Sequence, residues 1–130
     1  MKDMLTIIYE ALLDNDVIVE KVTNNRISYY EYPEGKDDTK ALIIIDPLHP
    51  PYESTGASNT ALTTVHTVQI DVQSPIRTEV KQIQKNVNEV MKSLGFSRLP
   101  EGLDAYLRDV NRYVDARRYR INTKLYDTNY

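Results

Sequence analysis

Between Thr64 and Gln73 the chain alternates: Val68, Ile70 and Val72 fall on one side, and Thr67, Gln69, Asp71 and Gln73 on the other. Alternation with β-branched residues predicts a strand covered on one face only. Ser74-Pro75 ends it. The serine hydroxyl can cap a helix, and proline fits the first helical position because its missing N–H would have had no partner there. From Ile76 the period lengthens to about 3.6 residues. Ile76, Val80, Ile83, Val87, Val90, Met91 and Leu94 make one stripe, while Arg77, Lys81, Gln84, Lys85, Asn88 and Lys92 lie largely off it. Gly95 suits the left-handed conformation that closes a helix, which would fold Phe96 back near Met91. Such a helix spans about 28 Å at about 1.5 Å per residue. Its apolar side chains repay their ordering only if buried, and the nearest partner is the Val68/Ile70/Val72 face.

The rest of the chain reads in order. Asp3 to Leu13 predicts a short helix with Met4, Ile7, Ile8, Ala11 and Leu12 on one side and Asp3 as its cap. Val17-Ile18-Val19 fits a helical turn or a short strand. Arg26 to Tyr32 predicts a strand and Pro33 to Asp38 a turn. Ala41 to Ile45 is apolar throughout, as in a strand covered on both faces, and is near enough to Arg26–Tyr32 to form a hairpin with it. Asp46 to Leu62, rich in Pro, Ser, Thr and Gly, shows no period and predicts a loop, either a mobile surface segment or a contact arm that orders on a partner. Ser97 to Gly102 reads as a connector, Leu103 to Leu107 as a helical turn or strand, and Arg112 to Ile121 as a final strand. Together these predict an α+β fold: a mixed or antiparallel sheet of about four strands, one long helix packed across it, and a short N-terminal helix. One domain over residues 1–130 is expected, with a mobile loop at about 47–62 and a flexible tail from Asn122.

Charge adds a polarity to this picture. The 130 residues carry a net charge of –3, but residues 1–62 hold five basic against eleven acidic groups and residues 63–130 eleven against eight. Such asymmetry favours head-to-tail contact between copies, or a polarised surface, over general nucleic-acid binding. The absence of cysteine excludes disulfide, Cys-zinc and thiol-nucleophile chemistry. Met1-Lys2-Asp3-Met4 opens no signal peptide and no apolar run reaches membrane length, so a soluble protein made in the cytosol is expected.

Reaction chemistry finds little purchase. His49 and His66 lie far apart, with no third ligand at metal-binding spacing, so neither a metal nor a cofactor is expected. Asp37-Asp38 and Asp14-Asn15-Asp16 are paired acids, but turn chemistry accounts for them. The four glycines are scattered and form no phosphate loop, and no nucleophile elbow occurs. An enzyme is not expected. The one basic-aromatic cluster is Arg117-Arg118-Tyr119-Arg120, with Arg112 and Tyr113 upstream. Arginine and tyrosine suit single-stranded nucleic acid or a protein interface. Asp109, Asp115 and Asp127 interleave the cluster and blunt a phosphate-binding field, which favours protein; a strand face with internal salt bridges is the plainer alternative.

In element order, with Val68-Gln69-Ile70-Asp71-Val72, the helix ending Leu94-Gly95-Phe96, and Tyr113 followed by Arg117-Arg118-Tyr119-Arg120, the chain resembles the tail terminator, or tail-completion, proteins of long-tailed bacteriophages. The resemblance spans most of the chain. It implies a non-enzymatic virion protein at the tail–head junction, made in the host cytoplasm. It implies a ring, commonly a hexamer, that caps the tail tube, stops its polymerisation and meets the head connector. The implied partners are other copies of itself, the major tail tube protein and the head-closure or connector protein, with no membrane and no nucleic acid. Interface candidates are Tyr113, Arg117, Arg118, Tyr119 and Arg120, and in the Pro47–Ala61 loop His49 and Tyr52. The competing readings are another phage neck component and a small nucleic-acid-binding module that uses the Arg/Tyr strand.

Overall fold

The computed structural model describes residues 3–22, 26–30, 40–48, 50, 52–55 and 62–124. Its element order is α1 (Met4–Leu13), α2 (Asp16–Lys21), β1 (Ile27–Tyr29), β2 (Leu42–Pro47), β3 (Tyr52–Thr55), β4 (Leu62–Ser74), α3 (Arg77–Ser93), β5 (Ser97–Leu107) and β6 (Arg112–Lys124). The α+β class read from the sequence holds. The sheet is mixed, in the order β1-β2-β4-β6-β5, with β3 also on β4. Six strands are therefore described where about four were expected.

Local chemistry sets the helices. The Asp3 carboxylate accepts from the Thr6 amide at 2.8 Å and starts α1. That backbone hydrogen bond holds the Asp3 carboxyl below its ordinary range. Met4, Ile8 and Leu12 are the buried residues of α1. The Asn15 side chain accepts from the amides of Val17 and Ile18, so the ambiguous Val17–Val19 segment becomes the short helix α2. The Asn15 amide also donates to Asn86 Oδ1, tying the junction of the two short helices to α3.

The long helix keeps its stripe with two corrections. Val80, Ile83, Val87, Val90 and Met91 are buried, and so is Gln84, whereas Ile76 is 54% exposed. Ser74 is not the helix cap. It ends β4, accepts from the Ile76 amide and donates to Glu79 Oε1, and the cap position falls on Ile76. The predicted start therefore moves two residues on, because Ser74 still belongs to the β4–β6 ladder. At the other end Gly95 has φ +97, the Phe96 amide donates to Met91 O, and the Gly95 amide to Lys92 O. This pair of bonds closes the helix and buries Phe96.

β4 is the spine of the sheet. Its residues 63–74 pair antiparallel with β6 along one side; on the other, β2 pairs with residues 68–73 and β3 with residues 62–65. β3 thus lies within the stretch expected to be loop; residues 49, 51 and 56–61 lie outside the described residues. The expected hairpin of β1 with β2 is corrected: the two are parallel, Ile27 opposite Ile43 and Tyr29 opposite Ile45. Nearness in sequence fixes neighbours but not direction, and the dozen residues between these strands suffice for a crossover. The expected turn at Pro33–Asp38 lies outside the described residues.

Ser97–Gly102 is strand rather than connector. β5 runs along β6 with a bulge between Arg98 and Gly102. A Cβ on Gly102 would lie 2.3 Å from the Ala116 carbonyl oxygen, so only glycine lets β5 rejoin β6 there. Asn122 to Lys124, expected to fray, extend β6; residues 125–130 lie outside the described residues.

Register separates two faces. Ile43, Ile45, Val68, Ile70, Val72 and Tyr119 join the core beneath the helices. The opposite face carries Leu42, Ile44, Thr67, Gln73, Val114 and Ala116, which are also buried. The polar side of β4 is therefore not washed by water along its length, as a strand covered on one face would be. Leu42 and Ile44 flank it on one side and Val114 and Ala116 on the other.

Candidate functional site

Strand geometry divides the basic-aromatic cluster before any chemistry acts. Successive side chains on β6 point to opposite faces. Tyr113, Asp115, Arg117 and Tyr119 turn toward the helices, while Arg112, Val114, Ala116, Arg118 and Arg120 turn away. The cluster is thus not one patch.

On the helix side Tyr119 is fully buried in the core, its hydroxyl approaching Asn88 Oδ1 at 3.4 Å. Burial pushes the Tyr119 hydroxyl above its ordinary pKa, against the pull of Arg117 and Arg98. Its place in the core gives it no surface to offer a partner. Arg117 donates from Nε to Asp115 Oδ1 at 3.0 Å, and Lys81 of α3 donates to Asp115 Oδ2 at 2.8 Å and to Asp104 Oδ2 at 2.5 Å. Burial alone would raise the Asp115 carboxyl; the hydrogen bonds from Arg117 and Lys81 outweigh it and hold the carboxyl low. Burial opposes the charge on Lys81 as well, and its two carboxylate partners reverse that and raise its pKa. This network joins α3, β5 and β6 at the floor of a cleft of about 280 Å³ beside the β5 bulge, lined also by Arg98, Pro100 and Glu101. Lys81, Asp104, Asp115 and Arg117 pair with one another there.

The other face follows a different logic. Arg112, with none of its surface exposed, donates to Lys40 O at 2.6 Å and to Gln73 O at 3.1 Å, which secures the start of β6 to β2 and β4. Arg118 donates to Gln69 Oε1, whose amide in turn donates to Asp71 Oδ1. Burial raises the Asp71 carboxyl despite the Gln69 bond, with Asp46 nearby adding to the effect. Arg120 is exposed, opposite Thr67 on β4 and Ser97 on β5. Tyr113 is half-buried and packs on Tyr106, ring centroids 4.8 Å apart. Tyr52 sits in β3 opposite Val65, and His49 lies outside the described residues.

Among the described residues no group of three or more His, Asp or Glu side chains converges to hold a metal ion, and no helix is long and apolar enough to cross a membrane. His66 is buried on the helix side of β4, opposite Ile121. The sequence reading missed Gln84, which hydrogen-bonds Ile70 O and Asp115 O from a fully buried position. A polar residue next to Ile83, on the flank of the stripe, was its only signal. Lys81 and Asp104, 23 residues apart, carried none.

No family model matches the sequence, and no curated protein matches it. Among solved structures the chain is similar to a chain from the virion of a native gene transfer agent (GTA) particle. The TM-score is 0.67 at 12% sequence identity, over 94% of this chain and 95% of that one. At that identity the likeness is one of fold.

Proposed function

We propose that this chain is a structural component of a phage-like virion, a tail terminator that caps the finished tail tube, ends its polymerisation and joins it to the head connector. The observation that carries the reading is the fold likeness to a gene transfer agent virion chain, which extends over nearly the full length of both chains. A contact role suits the chemistry of the surface. Lys81, Asp104, Asp115 and Arg117 of the cleft pair with one another, and the aromatic residues Tyr29, Tyr30 and Tyr106 stand exposed at the ends of the sheet.

In this reading copies of the chain form a ring, with the major tail tube protein on one side and the head-closure or connector protein on the other. Arg118 and Arg120 on the face away from the helices, and the segment Pro47–Ala61 with His49 and Tyr52, contribute to those contacts. A ring requires a contact between two different surfaces of each copy that closes on itself.

The same fold likeness supports a second reading, another neck component bound to the connector rather than to the tube. Mixing purified protein with purified tail tubes and, separately, with connectors distinguishes them by negative-stain microscopy. A terminator decorates one end of each tube and blocks further growth when tube protein is added. A connector-bound protein leaves tube growth unchanged, and that result refutes the terminator reading.

A further inference from the structure

Of the seven large apolar side chains left exposed among the described residues, Val19 and Ile76 stand alone and the other five gather at two places. Among the described residues Tyr29 and Tyr30 stand at the β1 end of the sheet, and Leu103, Tyr106 and Val110 at the β5 end. These are the two outer strands of the same sheet, so the two groups lie on opposite sides of the subunit; at the β5 end Tyr106, opposite Tyr113, turns toward the helices and Leu103, opposite Ala116, turns away, so the two flank the strand edge. Each is set in place. Tyr30 has φ 70, a region bulky residues seldom occupy, while its amide donates to Ile45 O at 3.0 Å and its side chain stays 63% exposed. Strain held at an exposed aromatic residue points toward a contact made outside the chain. Tyr29 packs on Tyr9, centroids 5.9 Å apart. Tyr106 is fixed by its stacking on Tyr113 and by its hydroxyl donating to Asn111 Oδ1. Rigid tyrosines of this kind are enriched where protein surfaces meet.

The two ends differ in charge. Residues 3–22 and 26–30, which carry α1, α2 and β1, hold five acidic against two basic groups. Burial raises the Tyr29 hydroxyl above its ordinary pKa, and Tyr9 and the acidic Asp3 and Glu10 add to the effect. At the β5 end Asp104 is engaged by Lys81, which leaves Arg98, Arg108 and Arg120 exposed against Glu101 and Asp109. Like ends repel and unlike ends attract. The bulge and Pro100 interrupt β5, so side chains rather than a continued ladder carry the contact.

We infer that copies of this chain associate head to tail, with the Tyr29–Tyr30 end of one seated on the Leu103–Tyr106–Val110 end of the next. The inference rests on the ring reading above and names the surfaces that make it.

Because the chain has no cysteine, thiol placement tests it directly. Tyr30→Cys and Tyr106→Cys, both at exposed positions, are purified singly, together as a mixture, and as the double variant, then treated with a short bis-maleimide. Unaltered melting curves establish folding, and Val110→Cys serves in place of Tyr106→Cys should that variant fail. Head-to-tail contact predicts no dimer from either single variant, a dimer from the mixture, and a ladder of higher species from the double variant. Dimers from a single variant, or an uncoupled mixture, overturn the inference. Tube capping by protein that does not couple refutes these surfaces and leaves the terminator reading standing. A ladder from protein that caps no tube supports these surfaces and refutes the terminator.

Discussion

Gln84 ties α3 to the sheet from inside the core. It sits fully buried in the helix face, and its Nε2 donates to Ile70 O at 3.0 Å on β4 and to Asp115 O at 2.5 Å on β6. One amide therefore bridges the helix to the two central strands. Gln84→Ala removes both bonds and leaves a void. At about 0.5–1.5 kcal/mol per hydrogen bond, plus the cost of a cavity lined by core residues, the loss should be about 2–4 kcal/mol. That is a large part of the roughly 5–15 kcal/mol that holds a domain folded. Gln84→Glu is the sharper probe. A protonated carboxyl can still donate to one carbonyl, whereas a carboxylate faces two acceptors with no donor. Burial then raises its folded-state pKa above the unfolded value of about 4.3. The variant should be most nearly normal below that value and lose stability as pH rises through the folded value. Urea unfolding followed by far-ultraviolet circular dichroism, repeated across pH, measures both effects. A Gln84→Ala midpoint equal to that of the parent, or a Gln84→Glu variant whose deficit does not grow with pH, refutes the bridging role.

Three further outcomes follow from the packing. Ile83→Lys puts an unpaired charge at a fully buried site and should cost more than about 4 kcal/mol, leaving no cooperative melt. Gly102→Ala drives a methyl against the Ala116 carbonyl and should cost about 1–3 kcal/mol, read as a lower urea midpoint with an unchanged slope. Asp115→Asn removes a carboxyl held low by Arg117 and Lys81, whose contribution is present above the unfolded pKa of about 3.9 and lost as pH falls through the folded value. The gap in stability between parent and variant should be about 1–3 kcal/mol at neutral pH and close in acid, as an acid titration of unfolding will show.

What was legible in the sequence was whatever repeats with a period. The β4 alternation and the α3 stripe announced themselves because their apolar residues recur at 2 and 3.6 positions, and Gly95-Phe96 marked the helix end by a rule of backbone geometry. The closing strand was legible for its Tyr, Val and Ile content, but its division between two faces had to be seen to matter. A run such as Arg117-Arg118-Tyr119-Arg120 looks like one patch in one dimension. Alternation instead sends Tyr119 into the core, Arg117 to Asp115 and Arg118 to Gln69. The parallel pairing of β1 was hidden because direction is decided by the path between strands, not by their composition. β5 was obscured by Pro100 and Gly102, which look like a connector and serve as a bulge. Gln84 carries no apolar signal, since its burial depends on two backbone carbonyls contributed by other strands.

The proposed role is to cover the end of a protein tube. The direct measurement is tube length: purified tail tubes are incubated with and without the chain, fresh tube protein is added, and lengths are taken by electron microscopy. Treated tubes should keep their starting length and carry added density at one end. Continued growth of tubes in the presence of excess chain, with both ends bare, contradicts it.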